Sequence, residues 1–244
     1  MKTIKDLKIE IFADGADPKQ MYELNKKNYI KGFTTNPSLM KKAGITDYKK
    51  FAIELLNQIK DKPISFEVFS DDIEEMGEQA KEIFSWGKNI NVKIPVTNTK
   101  GESTANLVNR LSKEGIVLNI TAIFTIKQLD TILKALSPET PAILSVFAGR
   151  IADSGVDPAG IIKKSVLNAK AKPKSKILWA STREIINIFQ ADSVGCHIIT
   201  VPHGLLGKFS SIGKTPESFS LETVAGFYKD ANSAGYSIKV NKNK

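Results

Sequence analysis

The sequence predicts a protein of the α/β class with a closed (β/α)8 barrel. Eight short apolar runs alternate with longer amphipathic segments along the 244 residues. The runs are almost continuously apolar, which is typical of parallel strands buried on both faces. No glycine-rich phosphate loop follows the first run. Eight strands therefore favour a barrel over the doubly wound sheet that six would suit.

The predicted strands are rich in Ile, Val, Phe and Leu, and each has the length of an ordinary strand. In chain order they are Ile9–Asp14, Gly32–Asn36, Ile64–Phe69, Asn91–Val96, Val117–Phe124, Ala142–Phe147, Lys176–Ala180 and His197–Val201.

The predicted helices lie between these strands and place apolar residues on one face. They are Lys19–Asn28, Tyr48–Lys60, Asp72–Trp86, Thr104–Lys113, Ile126–Leu136, Pro158–Ala171 and Thr182–Ala191, followed after an irregular segment by a last helix at Leu221–Ala234. Asp47 is a start signal for the second helix, and Gly87 and Gly115 stand where left-handed C-terminal caps are expected. With no linker or low-complexity region, residues 1–244 are expected to form a single domain.

Composition narrows the possible partners. The net charge is +9, but the basic residues are scattered and accompany no nucleic-acid motif, so we interpret them as solvated surface. The N-terminus lacks a signal-peptide core and no stretch approaches the ~20 apolar residues of a membrane span. We expect a cytoplasmic protein without a membrane or nucleic-acid partner. Cys196, the single cysteine, is predicted to be a buried apolar residue.

Neither a metal nor a nucleotide cofactor is predicted. His197 and His203 are separated by a strand and have no partner cluster of metal-binding residues. We interpret His203 as a group in a loop or at the rim of a pocket.

The barrel prediction also locates the chemistry, because catalytic groups of such barrels lie at the carboxyl ends of the strands. The polar and ionisable residues at or just beyond those ends are Asp14, Asn36, Glu67, Lys93, Asn119, Thr121, Ser145, Arg150, Ser181, Arg183 and His203, with Phe147 and Pro202 beside them.

Lys93 is the sharpest candidate. It lies within a buried strand, where a side chain pointing into the barrel is desolvated and desolvation favours a neutral amine. A neutral amine can attack a ketone to form a Schiff base. Asp14 and Glu67 end the first and third strands and could divide the proton transfers of such chemistry. A structural lysine neutralised by one of these carboxylates is the alternative.

A phosphate site is the second candidate. Arg150 and Arg183 follow the sixth and seventh predicted strands, near the small hydroxyl residues Ser145 and Ser181. A guanidinium fork with nearby hydroxyls suits the phosphate of a sugar terminus. A surface ion pair is the alternative for either arginine.

Four segments, in order along the chain, resemble the transaldolase family. Phe33–Ser38 (FTTNPS) is similar to the strand-two signature of that family, and Asn91–Thr97 (NVKIPVT) to the segment with its Schiff-base lysine. Ser145–Asp153 (SVFAGRIAD) and Ala180–Arg183 (ASTR) resemble the phosphate motifs of strands six and seven. The matches span nearly the whole chain, and their order makes the resemblance stronger than any one motif.

The resemblance implies a TIM barrel that transfers a dihydroxyacetone unit between sugar phosphates, as in the pentose phosphate pathway, without a cofactor. Lys93 would be the nucleophile and Asp14 the acid and base at the substrate hydroxyl. Glu67 with Thr121 would hold a proton-relaying water. The remaining implied substrate-binding residues are Asn36 and Asn119 for the dihydroxyacetone hydroxyls and Ser145, Arg150, Ser181 and Arg183 for the acceptor phosphate.

Two positions bear on the reaction type. The related fructose-6-phosphate aldolases tend to have Gln at the position of Glu67 and Tyr at that of Phe147, so this chain resembles the transferases at both. The departures from the family are Val146, Ala148, Thr182 and a second strand-one acid, Asp17, which competes with Asp14 for the acid–base role. The position of Asp14 at the end of the strand favours Asp14.

These departures leave the acceptor sugar open, and a free aldolase or a dedicated biosynthetic transferase stays an alternative. A third hypothesis is that the protein is not an enzyme but a basic binding protein built on an inactive barrel. The resemblance also implies a homo-oligomer, because some compact members form decameric rings through a C-terminal helix. Whether 221–234 serves in this way stays open.

Overall fold

The computed structural model describes residues 3–240. In these residues eight parallel strands close into a barrel in consecutive order, β1 to β8. The strands are β1 Glu10–Asp14, β2 Ile30–Thr34, β3 Ile64–Glu67, β4 Ile90–Pro95, β5 Leu118–Ile123, β6 Ala142–Val146, β7 Ser175–Trp179 and β8 Ile198–Pro202. The predicted (β/α)8 fold is therefore confirmed.

Eleven α-helices accompany the strands within the described part of the chain. They are α1 Pro18–Asn25, α2 Pro37–Lys42, α3 Tyr48–Gln58, α4 Ile73–Ser85, α5 Ala105–Lys113, α6 Ile126–Ala135, α7 Ala148–Asp153, α8 Ala159–Ala169, α9 Ile186–Ser193, α10 His203–Leu206 and α11 Pro216–Ser233. Between 3 and 240 no helix is both long and apolar enough to cross a bilayer.

The second strand begins and ends two residues earlier than predicted, at Ile30 and Thr34. It ends at Thr34, and Asn36 is instead the N-cap of α2, where its Oδ1 accepts a hydrogen bond of 3.0 Å from the backbone N–H of Leu39. Pro37 occupies the first helical position, for which its fixed φ is suited. Asn36 thus belongs to the loop region above the barrel, two residues beyond the end of its strand.

Two of the three helix-end predictions, those for Asp47 and Gly115, are confirmed. Asp47 caps α3 by accepting from the N–H of Lys50, and Gly115 has the left-handed φ of 84° expected after α5. Gly87 does not have a left-handed φ, so that prediction was wrong. A Cβ there would lie 3.2 Å from the side chain of Leu56 on α3, so the chain just beyond α4 passes close to α3 at this point.

Apolar side chains form two layers on either side of the strands. The larger lies between strands and helices, while Phe12, Ile143, Leu178, Ala180 and Ile198 form a small separate cluster. Alternate residues of a strand face opposite sides, so residues of the same parity as Phe12 on β1 face the barrel interior. This apolar cluster fills the lower part of the barrel interior, and the inward-facing residues nearer the carboxyl ends of the strands are mostly polar.

The last helix differs from the others in having no buried residue. It begins at Pro216, five residues earlier than predicted, because Thr215 caps it and Pro216 occupies its first turn. Its exposed large apolar residues are Phe219, Leu221, Val224, Phe227 and Tyr228.

Candidate active site

A cavity of about 490 Å³ opens at the carboxyl end of the barrel. Of the eleven residues for which the family resemblance suggests a role, all but Asn119 line it, namely Asp14, Asn36, Glu67, Lys93, Thr121, Ser145, Phe147, Arg150, Ser181 and Arg183. Strand ends from around the whole ring therefore converge on one space, as the barrel topology requires.

Lys93 lies at the base of this cavity. Its residue is only 7% exposed, and its Nζ lies 3.0 Å from Oε2 of Glu67. Glu67 and Lys93 are register partners on the adjacent strands β3 and β4, which explains the contact. The amine also donates a hydrogen bond of 3.2 Å to the backbone oxygen of Thr35. The side chain therefore points into the barrel, as predicted; one of these contacts comes from the neighbouring strand β3 and the other from the residue that follows β2.

Asp14 is the second acid of the cavity. Its Oδ1 accepts a hydrogen bond of 2.7 Å from the hydroxyl of Thr34, its register partner on β2. Burial raises the pKa of Asp14, against the lowering effects of Lys93 and of the Thr34 hydrogen bond and with a further raising effect of Glu67. A carboxyl group whose pKa is raised in this way is suited to taking up and returning a proton near neutral pH.

Asp17, the competing strand-one acid, has a different place. Its carboxylate caps α1 by accepting from the backbone N–H of Gln20, and it does not line the cavity. The position at the strand end distinguishes Asp14 from Asp17.

Thr121 supplies a hydroxyl near the lysine. The residue is 2% exposed, and its Oγ1 has no hydrogen-bond partner among the described residues. The next residue, Ala122, has the left-handed φ of 59° at an irregularity in the β5–β6 pairing. Such a conformation is costly for a residue with a Cβ and is concentrated at functional sites.

Asn119 is the predicted residue that the cavity does not include. Its amide nitrogen donates to Ser65 Oγ at 3.0 Å, and its Oδ1 accepts from Ser145 Oγ at 2.7 Å. These three buried side chains form a hydrogen-bonded chain across β3, β5 and β6, which we call the polar floor chain. Ser145 is its member at the cavity wall.

The opposite wall of the cavity contains the two arginines. The guanidinium carbon of Arg150 lies 5.6 Å from the centre of the Phe147 ring, a cation–π arrangement. Arg183 makes a two-pronged ion pair with Asp153, with Nε 3.1 Å from Oδ1 and Nη2 2.5 Å from Oδ2. The hydrogen bonds from Arg183 lower the pKa of Asp153. The ion pair considered as the alternative for Arg183 is present, and Arg183 still lines the cavity.

Ser181 lies between these arginines in an unusual conformation. Its φ is +66°, a left-handed value that serine seldom adopts. The backbone of α7 approaches it so closely that a Cβ on Gly149 would lie 1.6 Å from the carbonyl oxygen of Ser181. Only glycine fits at residue 149, and this contact fixes the loop after β7 against α7.

Several lining residues were not singled out from the sequence. Thr34 and Thr200 are buried hydroxyl residues of the cavity, on β2 and β8. Both have the inward parity of their strands, so strict alternation counted back from the strand ends could have identified them.

The remaining candidates lie away from the cavity. His203 does not line it; its ring packs on Gly15, and its Nδ1 is 2.6 Å from Oε1 of Gln20. His197 Nδ1 accepts from the backbone N–H of Ile177. Cys196 is buried, as predicted, and burial raises its pKa to about 12. Among residues 3–240 no group of three or more His, Cys, Asp or Glu could hold a metal ion.

The fold is a (β/α)8 barrel, and its cavity contains a buried lysine paired with Glu67 and a second acid, Asp14, which together are compatible with an enzyme of the aldolase and transaldolase type. The model of the protein family described as "Transaldolase/Fructose-6-phosphate aldolase" matches residues 11–242 of this chain. The chain belongs to this family.

Relatives support the assignment. A "Probable transaldolase" of Thermoanaerobacter sp. (strain X514) is 40% identical over 199 residues, which cover 81% of this chain and 88% of that protein. Proteins of the same description from Dehalococcoides mccartyi and Methanococcus maripaludis (strain C7 / ATCC BAA-1331) are both 34% identical, over 81% and 82% of this chain and 88% and 89% of theirs.

A solved structure supports the fold alone. It is described as a "putative lyase/mutase" from Burkholderia cenocepacia J2315, and it superposes with a TM-score of 0.56 at 11% identity. The match covers 93% of this chain and 85% of that one.

Proposed function

We propose that the protein is a transaldolase that transfers a dihydroxyacetone unit from a ketose phosphate to an aldose phosphate through a Schiff base on Lys93. The observation that carries this proposal is the buried amine of Lys93, 3.0 Å from Glu67 at the base of a cavity that also holds Asp14. Fructose 6-phosphate as donor and erythrose 4-phosphate as acceptor are the proposed substrates.

In the proposed mechanism the amine of Lys93 adds to the C2 ketone, and loss of water gives an imine. Asp14 then takes the proton of the C4 hydroxyl, the C3–C4 bond breaks, and its electron pair moves into the imine to give an enamine. The first aldose leaves. The enamine carbon attacks the aldehyde of the second aldose, and Asp14 returns its proton to the new C4 oxygen. Addition of water to the resulting imine then releases the product ketose and the free amine of Lys93.

Glu67 and Thr121 are proposed to serve imine formation. Carbinolamine dehydration needs a proton delivered to the departing oxygen, and a water molecule can carry it. Suitable groups for binding that water are the Glu67 carboxylate beside the amine and the Thr121 hydroxyl, which has no hydrogen-bond partner within residues 3–240. Asn36 lines the same cavity and is proposed to bind a dihydroxyacetone hydroxyl.

Asn119 takes a modified role in this proposal. Its amide nitrogen and its oxygen are already bonded to Ser65 and Ser145. We therefore assign to Asn119 the orientation of Ser145, which lines the cavity, in place of the direct hydroxyl contact that the resemblance implies.

The phosphate of the acceptor is proposed to bind between Arg150, Arg183, Ser145 and Ser181. All four line the cavity, and the two guanidinium groups supply the charge that a sugar phosphate requires. Because Asp153 already engages Arg183 on two sides, Arg150 is the arginine with more hydrogen-bonding capacity for the ligand.

The decisive experiment is borohydride trapping of the imine with fructose 6-phosphate, followed by peptide mass spectrometry. The label is expected on Lys93, and the Lys93→Ala variant should be folded, unlabelled and inactive. Lys62→Ala is a matched control, because Lys62 is another partly buried lysine, bonded to the backbone oxygen of Asn25 outside the cavity. In the Lys62→Ala variant, Lys93 should still be labelled and turnover should equal that of the wild type. A label on another lysine contradicts the mechanism.

A second experiment separates transfer from free aldol cleavage. Phe147 lies in the cavity wall, and its ring has no hydroxyl to assist water-dependent release of dihydroxyacetone. Phe147→Tyr should raise the release of free dihydroxyacetone relative to transfer, and Phe124→Tyr, at the ring packed 5.7 Å away, should not. A wild-type protein that releases dihydroxyacetone as fast as it transfers it would favour the aldolase alternative. A dedicated transferase would form the imine with a different ketose.

The wider setting follows from this proposal. A transaldolase of this kind serves carbohydrate metabolism in the pentose phosphate pathway, and we propose a cytoplasmic, homo-oligomeric protein with one domain per chain. The imine formed on Lys93 is the electron sink, so the proposed reaction requires no cofactor.

A further inference from the structure

Two threonine hydroxyls, those of Thr200 on β8 and Thr34 on β2, form a hydrogen-bonded row that ends at the carboxylate of Asp14 on β1. Thr200 Oγ1 lies 2.5 Å from Thr34 Oγ1, and Thr34 Oγ1 lies 2.7 Å from Asp14 Oδ1. Both threonines are buried, with exposures of 3% for Thr34 and 6% for Thr200, and both line the cavity. The row therefore spans three neighbouring strands at the level of the reacting groups.

The chemistry of the groups fixes the direction of this row. A hydroxyl has one proton to donate, and an ionised carboxylate only accepts. When Asp14 is ionised, Thr34 must donate to Asp14, and Thr200 must therefore donate to Thr34. When Asp14 holds a proton, the row can reverse, so that Asp14 donates to Thr34 and the proton of Thr34 turns toward Thr200. Hydrogen bonds in such a chain polarise one another.

The position of Thr200 is set by its own neighbours. Its backbone oxygen accepts a hydrogen bond of 2.7 Å from the hydroxyl of Thr182, which is also buried. Thr200 pairs with Phe12 in the β8–β1 register, and Asp14 pairs with Thr34 in the β1–β2 register. Thr200 is thus held by backbone contacts, and its hydroxyl is presented to Thr34 without the need for a flexible side chain.

We propose that Thr200 is a positioning residue for the proton transfer: acting through Thr34, it orients the Asp14 carboxylate and stabilises its ionised form. This inference rests on the proposed function, in which Asp14 takes the proton of the substrate hydroxyl. The ionisable groups that act on Asp14 from other strands are Lys93 on β4 and Glu67 on β3. Neither belongs to the hydroxyl row, so the contribution of Thr200 can be measured separately from theirs.

The test is Thr200→Val, which keeps the shape of the side chain and removes only the hydroxyl. We expect kcat to fall about fivefold, the factor for loss of one neutral hydrogen bond, with KM changed less than about twofold. The acidic limb of the pH–kcat profile should move to higher pH, because Thr34 becomes a weaker donor to the ionised carboxylate. Imine trapping on Lys93 should be retained. Thr200→Ser should restore the wild-type values.

A double-variant cycle separates an action through Thr34 from a merely structural effect. Thr34→Val should shift the same limb further than Thr200→Val, and adding Thr200→Val to Thr34→Val should change nothing more. Thr140→Val is the matched control: Thr140 is a buried threonine whose hydroxyl donates to the backbone oxygen of Ser112, outside the cavity. It should lower stability without moving the limb.

A direct titration makes the test independent of turnover. The carboxyl carbons of aspartate can be followed by ¹³C NMR against pH, with the Asp14 signal identified by its loss in Asp14→Asn. The midpoint of Asp14 should be higher in Thr200→Val than in the wild type. The inference is overturned if Thr200→Val leaves both the titration midpoint of Asp14 and the acidic limb of the pH–kcat profile unchanged. It is also overturned if Thr200→Val has the same effect in the wild type and in Thr34→Val. A wild-type protein that forms no imine overturns the proposed function instead, and the titration still decides whether Thr200 acts on Asp14.

Discussion

Replacement of Gly149 by alanine should separate the two walls of the proposed phosphate site. The new Cβ would lie 1.6 Å from the carbonyl oxygen of Ser181, whereas an ordinary carbon–oxygen contact is about 3.3 Å. The α7 backbone and the loop after β7 must therefore move apart by roughly the difference, about 1.7 Å. Because the obstacle is a backbone atom, no side-chain rotation can relieve it.

The expected cost is at the upper end of the range for overpacking, about 3 kcal/mol in the free energy of unfolding. For a chain of this size that corresponds to a fall in Tm of about 6–12 °C. The shift also displaces Arg150 from Arg183, so KM for a phosphorylated acceptor should rise on the order of 10- to 100-fold. Urea unfolding and steady-state kinetics measure the two effects.

Gly160→Ala is the matched control for this variant. Gly160 is also a helical glycine, in α8, but a Cβ added there would meet no atom of the described residues within 4 Å. The substitution should stabilise the protein by up to about 1 kcal/mol, through helix propensity, and leave KM unchanged. If Gly149→Ala matches Gly160→Ala in both stability and KM, the account of this close approach is wrong.

Three further predictions follow from ionisable groups. Burial raises the pKa of Asp14, so its ionised form destabilises the native state, and the cost is incurred as pH rises from the ordinary aspartate pKa to the raised one. Asp14→Asn should therefore be inactive yet more stable than the wild type at pH 7 by urea unfolding, and the gain should shrink as pH falls; a gain independent of pH would contradict this. Asp153→Asn should change the unfolding free energy little because its pair with Arg183 is half exposed and screened by solvent, but it should raise KM for sugar phosphates as the guanidinium loses its fixed orientation; an unchanged KM would exclude a positioning role. The thiol of Cys196, whose pKa burial raises to about 12, should react with a disulfide reagent only as fast as the protein unfolds, and rapid labelling of the native protein would contradict its burial.

The sequence predicted the barrel because periodicity is a local property. Each strand and each of the eight long helices leaves its own apolar pattern, and position at a strand end was enough to select Asp14 over Asp17. Short elements leave too few residues for a pattern. Helices α2 and α7 have six residues each and were not among the predicted helices. The Asn36–Pro37 pair is nevertheless an N-cap signal that could have ended β2 earlier.

What the sequence could not supply is the pairing of residues distant along the chain. Arg183 and Asp153 are 30 residues apart, and Thr34 and Thr200 are 166 apart. Their contacts depend on the closure of the barrel and on the register of each strand pair. The left-handed φ of Ser181 is likewise imposed by α7 packing against it, since no local signal predicts that conformation for a serine.

The polar floor chain of Ser65, Asn119 and Ser145 restricts how this barrel can change by single substitutions. Asn119 uses a donor on one serine and an acceptor on the other. An apolar residue at any one of the three leaves a buried polar group unpaired, at about 1–3 kcal/mol, while exchange of all three for a well-packed apolar set can be nearly neutral. For stability alone these three positions should therefore change together, while the proposed phosphate contact keeps the hydroxyl of Ser145 in place. A library that varies them one at a time would sample mostly destabilised proteins.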